Sequence, residues 1–130
     1  MYLQIYYKTL NKLTNYGEYR LSDDWENGYD SIIWLDVNKE LPSKEVFDAE
    51  VEIVLKSTCL ELIREKRNEL LKDSDWRIND DYPYADKELW KEYRTNLREF
   101  PNKIENGDLP TPSLDENGNL INVNWPEKPE

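Results

Sequence analysis

Apolar residues recur along this chain at two spacings, and the spacings predict its elements. Between Tyr2 and Thr14, Leu3, Tyr6, Leu10 and Leu13 fall three or four residues apart, the repeat of one helical face. The tyrosine-rich start also permits a strand, and Gly17 is placed to cap the helix C-terminus. From Glu18 to Val37 the pattern alternates about Asn27-Gly28, the preferred pair for a two-residue type I′ hairpin turn. That turn sets Glu26 opposite Tyr29 and Leu21 opposite Trp34. Tyr19, Leu21, Trp25, Ile32 and Trp34 then share one face, with Tyr29, Ile33 and Leu35 on the other. The second strand, Asp30 to Asp36, is apolar on both sides, a pattern that calls for cover on both faces or a further strand. Ile32, Ile33, Trp34 and Leu35 therefore read either as a central core strand or as a docking surface.

Ser43 and Glu45 open a long helical pattern that runs to about Lys72, ~30 residues and longer than a typical globular helix. Its stripe is Phe47, Val51, Val54, Leu55, Leu62, Ile63 and Leu70, and Glu61, Glu65 and Glu69 interrupt any heptad, which excludes a pure coiled coil. The β-branched run Val51 to Leu55 is where a kink is expected. Cys59 reads as a small core residue. After Asp73-Ser74-Asp75 and the turn cluster Asn79 to Pro83, a second amphipathic helix spans Asp86 to Pro101. Asp86 is its expected N-cap and Pro101 its stop. Leu89, Trp90, Tyr93, Leu97 and Phe100 share one face, and Trp90, Arg94 and Arg98 form a second row. Beyond Pro101, Asn117-Gly118 signals another hairpin, in which Leu114 faces Ile121 and shares a face with Val123 and Trp125. The end, Pro126 to Glu130, reads as loose. The fold class is α+β: a short N-terminal helix and β-hairpin (1–41), a helical module (42–101) and a Pro-rich arm with a hairpin or extended segment (102–130), all within one domain.

Composition narrows the chemistry. Among 130 residues, 28 acidic against 17 basic side chains give a net charge of −11, which disfavours nucleic-acid backbones and anionic membranes as partners. There is no His and one Cys, so neither a Cys-based zinc site, an intrachain disulfide nor a Ser–His or Cys–His nucleophile is available. The lone Cys fits a reducing cytoplasm, and the N-terminus lacks the pattern of a signal peptide. Asp23-Asp24, Asp73/Asp75 and Asp80-Asp81 sit in no ligand-spaced loop. Asp115 to Asn119 has the outline of a calcium loop, but the twelfth position falls on Pro126. With 4 glycines there is no phosphate-cradling loop. No catalytic residue, metal or cofactor is expected.

Trp76, Trp90, Tyr93, Arg94, Arg98 and Trp125 remain, and they admit two readings. In one, Trp76 and Trp125 pack on Trp90 and Tyr93 while Arg94 and Arg98 pair with Asp75, Asp80 or Asp81. In the other, some of them form a hot spot for another protein, since Trp, Tyr and Arg dominate such sites.

A resemblance bears on that choice. The charged run Arg64 to Leu71 is followed by Asp75-Trp76, by Leu89-Trp90-Lys-Glu-Tyr93-Arg94-Thr-Asn-Leu97-Arg98-Glu-Phe-Pro101, and by Val123-Asn-Trp125-Pro126-Glu-Lys-Pro129. This order resembles tailed-phage tail fibre assembly and tail assembly chaperone proteins, over roughly the C-terminal half. Ser113 to Pro126, and Tyr29 to Trp34 followed by Leu41 to Lys44, also resemble small tail proteins of cyanobacterial phages. The resemblance implies a non-enzymatic phage protein whose partner is a tail fibre or other tail protein. It would act in the host cytoplasm during assembly or stay in the virion tail as a permanent component. Homo-oligomerisation stays open. The positions matching the motif are Asp75, Trp76, Trp90, Tyr93, Arg94, Leu97, Arg98, Trp125 and Pro126, and the family contributes no catalytic residues. A third reading, an acidic DNA mimic directed at a host protein, follows from the charge alone and is weakened by the interleaved Lys and Arg.

Overall fold

The helical spacing near the N-terminus folds as α1, Tyr2–Thr14. The computed structural model describes residues 2–130, with side chains from Leu3 onward. The elements that follow are β1 (Tyr19–Leu21), β2 (Ile32–Trp34), α2 (Lys44–Ser74), α3 (Lys87–Glu105), β3 (Ser113–Leu114) and β4 (Leu120–Ile121), with 3₁₀ turns at Trp25–Ser31 and Asp75–Ile78. The class is α+β, with two small two-stranded antiparallel sheets. Two compact units divide the chain: the N-terminus to Thr58 with Leu114–Asn119, and Cys59–Ser113 with Leu120–Glu130. No helix among the described residues is long and apolar enough to cross a membrane.

In the first unit, the buried face of α1 is Ile5, Thr9, Leu10 and Thr14, while Leu3, Tyr6 and Leu13 are only half-buried. The expected stripe is thus rotated toward two threonines. Their hydroxyls donate to the Ile5 and Leu10 carbonyls at 2.7 and 2.6 Å, so burying them leaves no unmet polar group. The helix ends through Asn15 (φ 50°) and Tyr16 (φ 63°) rather than through a left-handed Gly17. Gly17 is required for space instead: a Cβ there would lie 2.9 Å from the Trp34 ring. Tyr16, 78% exposed, is held left-handed with little packing in return. Tyr16→Gly is expected to raise the unit's stability by about 0.5–1 kcal/mol, the left-handed penalty less the entropy of glycine, read from a urea midpoint.

β1 and β2 pair as Tyr19↔Trp34, Arg20↔Ile33 and Leu21↔Ile32, two residues away from the expected register. A shift of two keeps every side chain on its face, and the Tyr19 and Trp34 rings stack at 5°. Asn27-Gly28 does not make the turn but lies inside the 3₁₀ stretch. The longer connection lets Tyr29 pack on Phe47, centroids 5.6 Å apart, and donate its hydroxyl to the Pro42 carbonyl at 2.6 Å. A tight hairpin would hold Tyr29 in the strand instead. β2 is half-buried throughout and Leu35 is exposed, so Ile32 to Leu35 belong to a two-stranded ribbon, not to a central core strand.

α2 is capped by Ser43, whose Oγ accepts the Val46 N–H at 3.3 Å. It runs unbroken through Val51 to Leu55, without the expected kink. Phe47, Val51 and Val54 are buried in the first unit.

The second unit has two apolar clusters. Leu60, Ile63, Phe100 and Ile104 form one, covered by Leu109, Leu120, Val123 and Trp125. Tyr82, Trp90, Tyr93 and Leu97 form the other, with Leu70, Leu71, Ile78 and Trp125 against it. Cys59 is fully buried, and that burial pushes its thiol above the ordinary range, as befits a core residue. α3 does not stop at Pro101 but carries it inside. Losing one N–H is offset because the extra turn buries Ile104 beside Leu60 and Ile63. The buried face of α3 is Trp90, Tyr93, Arg94, Leu97, Phe100, Pro101 and Ile104, and Leu89, expected on it, is exposed.

The second hairpin also departs from a two-residue turn. The Asp115 N–H donates to the Asn119 carbonyl at 2.9 Å and Gly118 takes φ 81°, a three-residue loop with glycine at the left-handed position. The Asp115 carboxylate accepts the N–H groups of Asn117 and Asn119, each at 2.9 Å. Moving the register by one turns Ile121 outward and leaves Leu120 packed on the core.

Candidate functional site

Two polar knots fasten α3, one to the end of α2 and the other to the 3₁₀ turn and linker that follow it, and both lie in the second unit. The first is centred on Arg94, which is 7% exposed. Its Nη1 donates to the Leu71 carbonyl and, at 2.8 Å, to the Ser74 hydroxyl, while Nη2 pairs with Asp75 at 2.7 Å. Leu71 and Ser74 belong to the last turn of α2, where free carbonyls and the helix dipole favour a cation. Arg94 thus closes α2 from the neighbouring helix.

The second knot is a ladder of aromatic rings and charges. The Arg77 guanidinium lies 4.0 Å from the Trp90 ring centroid and 4.4 Å from that of Trp76, so it sits against both indoles. Arg77 donates to the Tyr82 hydroxyl at 3.2 Å, and Tyr82 donates to Asp86 Oδ1 at 2.7 Å. Trp90 Nε1–H donates to Asp86 Oδ2 at 3.1 Å. Asp86 precedes α3 but makes no side-chain cap bond. It stands at the expected N-cap position, but its oxygens are committed to Tyr82 and Trp90 instead of the helix N–H groups.

The motif residues separate by position. Trp90, Tyr93, Arg94 and Leu97 are buried. Asp75 and Trp76 are exposed, Trp76 at 48%, and Trp125 and Pro126 are half-buried. Trp125 packs on Phe100 with centroids 5.0 Å apart. Trp76 meets Tyr82 edge-on at 5.4 Å, and Arg77 mediates between it and Trp90, where direct packing of the two indoles is the expectation. The predicted Arg94–Asp75 pair forms. Arg98 is exposed and donates to Thr95 at 3.4 Å; among the described residues it pairs with no carboxylate. The tail lies along α3: Lys128 Nζ is 5.9 Å from the Trp90 ring centroid, and Glu127, Lys128 and Pro129 flank a groove with Leu89, Glu92, Tyr93 and Asn96.

A family model described as phage tail assembly chaperone protein matches residues 60–130. The chain belongs to the phage tail assembly chaperone family. The match begins one residue into the second unit and runs to its end, so both knots and all nine motif positions fall within it. No curated protein and no solved structure matches the chain. The family places the chain in phage tail assembly, alongside other tail proteins, and is not an enzyme family.

Within this chaperone-family region, Arg77, Tyr82, Tyr84 and Asp86 carry the geometry without having been singled out as site residues. A signal was present, since Tyr82, Asp86 and Trp90 are each four apart. Asp86 also has a pH consequence. The hydrogen bond from Tyr82, then that from Trp90 and the charge of Arg77, hold its carboxyl below the ordinary 3.8 against the opposing effect of burial. A depressed carboxyl stabilises the fold above its unfolded pKa, and that stabilisation disappears as pH falls through the folded value. Asp86→Asn is expected to flatten the stability–pH curve of the unit below the ordinary 3.8, measured by urea unfolding across an acid series.

Proposed function

We propose that this chain is a non-enzymatic chaperone that holds a tail fibre or other tail protein through the Trp76 side of residues 60–130, in the host cytoplasm during assembly. One observation carries it. Trp76 and Tyr84 are 48% and 62% exposed, yet both lean on Tyr82, which the Asp86 ladder holds in place. Exposed rings on a fixed base surrender little entropy when covered, and such residues dominate binding hot spots. In this reading Trp90, Tyr93, Arg94 and Leu97 lock the module, and Asp75 holds Arg94. Trp76, Arg98, Trp125 and Pro126 supply what a partner meets. Co-expression with the neighbouring fibre gene tests it. Trimeric fibre is expected with the chain present and to be lost without it; equal trimerisation in its absence ends the proposal.

A second reading, a permanent component of the tail, baseplate or fibre junction, draws on the first unit. There the half-buried β2 ribbon of Ile32, Ile33 and Trp34 leads into Leu35 and Val37, 52% and 93% exposed. Mass spectrometry of purified virions separates the two, because stoichiometric presence selects permanence and absence removes it.

A further inference from the structure

We propose that the Trp76–Tyr82–Tyr84 surface receives a basic, extended segment of the partner, one carrying arginine or lysine. The proposal rests on the reading of residues 60–130 as a protein-binding module and adds the chemistry of what it binds. The three rings are contiguous: Tyr82 lies edge-on to Trp76 at 5.4 Å and to Tyr84 at 5.2 Å, and the outer two are exposed. Between Trp76 and Tyr82 the chain turns, with the Tyr82 N–H donating to the Asn79 carbonyl at 3.0 Å, and Asp80 and Asp81 occupy that turn. Asp80 is fully exposed and its nearest cation is Lys87 at 3.9 Å. Asp81 is exposed and makes no ion pair among the described residues.

Rings alone would suit many partners, and carboxylates alone would be a solvated turn. Together they select a cation. Arg77 already stacks its guanidinium against Trp76 at 4.4 Å, so the chain itself displays the contact that an incoming arginine would repeat on the exposed rings. Cation–π attraction and a charge-assisted bond to Asp80 or Asp81 can act on one guanidinium at once. The net charge of −11 steers a basic polypeptide toward the surface and repels nucleic acid and anionic lipid.

The test uses the full chain and three labelled, unstructured Gly/Ser peptides of equal length, bearing arginine, glutamine or glutamate at the same positions. Binding is read by fluorescence anisotropy at fixed salt. The arginine peptide is expected to bind tightest. Trp76→Ala and Tyr84→Ala should each weaken it by about fivefold, the scale of an exposed cation–π contact. Asp80→Asn with Asp81→Asn should weaken it more than Asp23→Asn with Asp24→Asn, which removes the same charge from the other unit. The exposure of Tyr84 keeps that variant folded, checked by near-UV circular dichroism. Equal binding of the glutamine peptide, or equal effects of the two double variants, overturns the proposal. So does self-association of the chain that Tyr84→Ala abolishes, since a second copy would then be the occupant. The peptide series decides the chemistry of the surface, and capture of co-expressed tail protein by the unchanged chain decides the functional reading, so each can fail without the other.

Discussion

Trp90→Ala is expected to cost the second unit about 3–5 kcal/mol, the range for removing a large aromatic side chain from a core. Trp90 is 2% exposed and meets Tyr93 edge-on at 84°. Its truncation leaves a cavity, takes away the ring beneath Arg77 and removes one of the two side-chain donors of Asp86. A small domain has roughly 5–15 kcal/mol in total, so one substitution would consume a large part of it. Cys59 supplies an independent readout, because its thiol is fully buried in the same unit. Its labelling by a thiol reagent should quicken in step with the drop in the urea midpoint. Trp90→Phe separates the contributions: it keeps most of the ring but not the indole N–H, and should cost about 1–2 kcal/mol less than alanine if packing dominates. Trp76→Ala is the surface comparison, expected near 1 kcal/mol for a half-exposed ring on the rim of the ladder. An unchanged midpoint and labelling rate for Trp90→Ala would show that Trp90 does not lock the module.

The helices were legible because three- and four-residue spacing leaves a direct trace in sequence, and α1, α2 and α3 fall where that spacing runs. Their ends were less so. Pro101 carries a strong breaking preference, and only the burial of Ile104 beyond it, which depends on Leu60 and Ile63 from another helix, outweighs that preference. Both Asn-Gly pairs favour two-residue turns, and each is overridden, the first by contacts distant in sequence and the second from within its own loop. Tyr29 is drawn out of the strand by Phe47 and Pro42, and the Asp115 carboxylate gathers two N–H groups of its own loop. At the site, the pairing of Arg94 with Asp75 could be read from charge and order. The seat of Arg77 could not, because it depends on Trp90, which is distant in sequence. Asp86 invites a side-chain cap because an Asp at a helix start usually makes one; the four-residue spacing that places Tyr82 and Trp90 within its reach is the competing signal.

Arg94→Ala and Arg98→Ala, one turn apart on α3, should differ in stability by about 2–3 kcal/mol. Arg94 is side-chain buried and holds Leu71, Ser74 and Asp75 together. Charge-assisted bonds contribute about 1.5–3 kcal/mol, and cutting the donor leaves the Leu71 carbonyl at the end of α2 without it. The Asp75 side chain is 64% exposed, so the ion pair itself is well screened and supplies little of the loss. The helix-end bonds supply most of it, and added salt should therefore leave the difference nearly intact. The Nε of Arg94 is buried without a partner, a standing cost that the two Nη groups must exceed. Arg94→Met tests that balance: it restores the packing of the aliphatic stem and removes the unmet N–H, so it should recover part of the loss but not the closure of α2. Arg98→Ala, on the exposed side with Thr95 as its hydrogen-bond acceptor, should stay within about 0.5 kcal/mol of the parent. Any defect it shows in capturing a tail protein would then be a loss of contact, not of fold. Equal urea midpoints for the two alanine variants would remove Arg94 from its place as the fastening between α2 and α3.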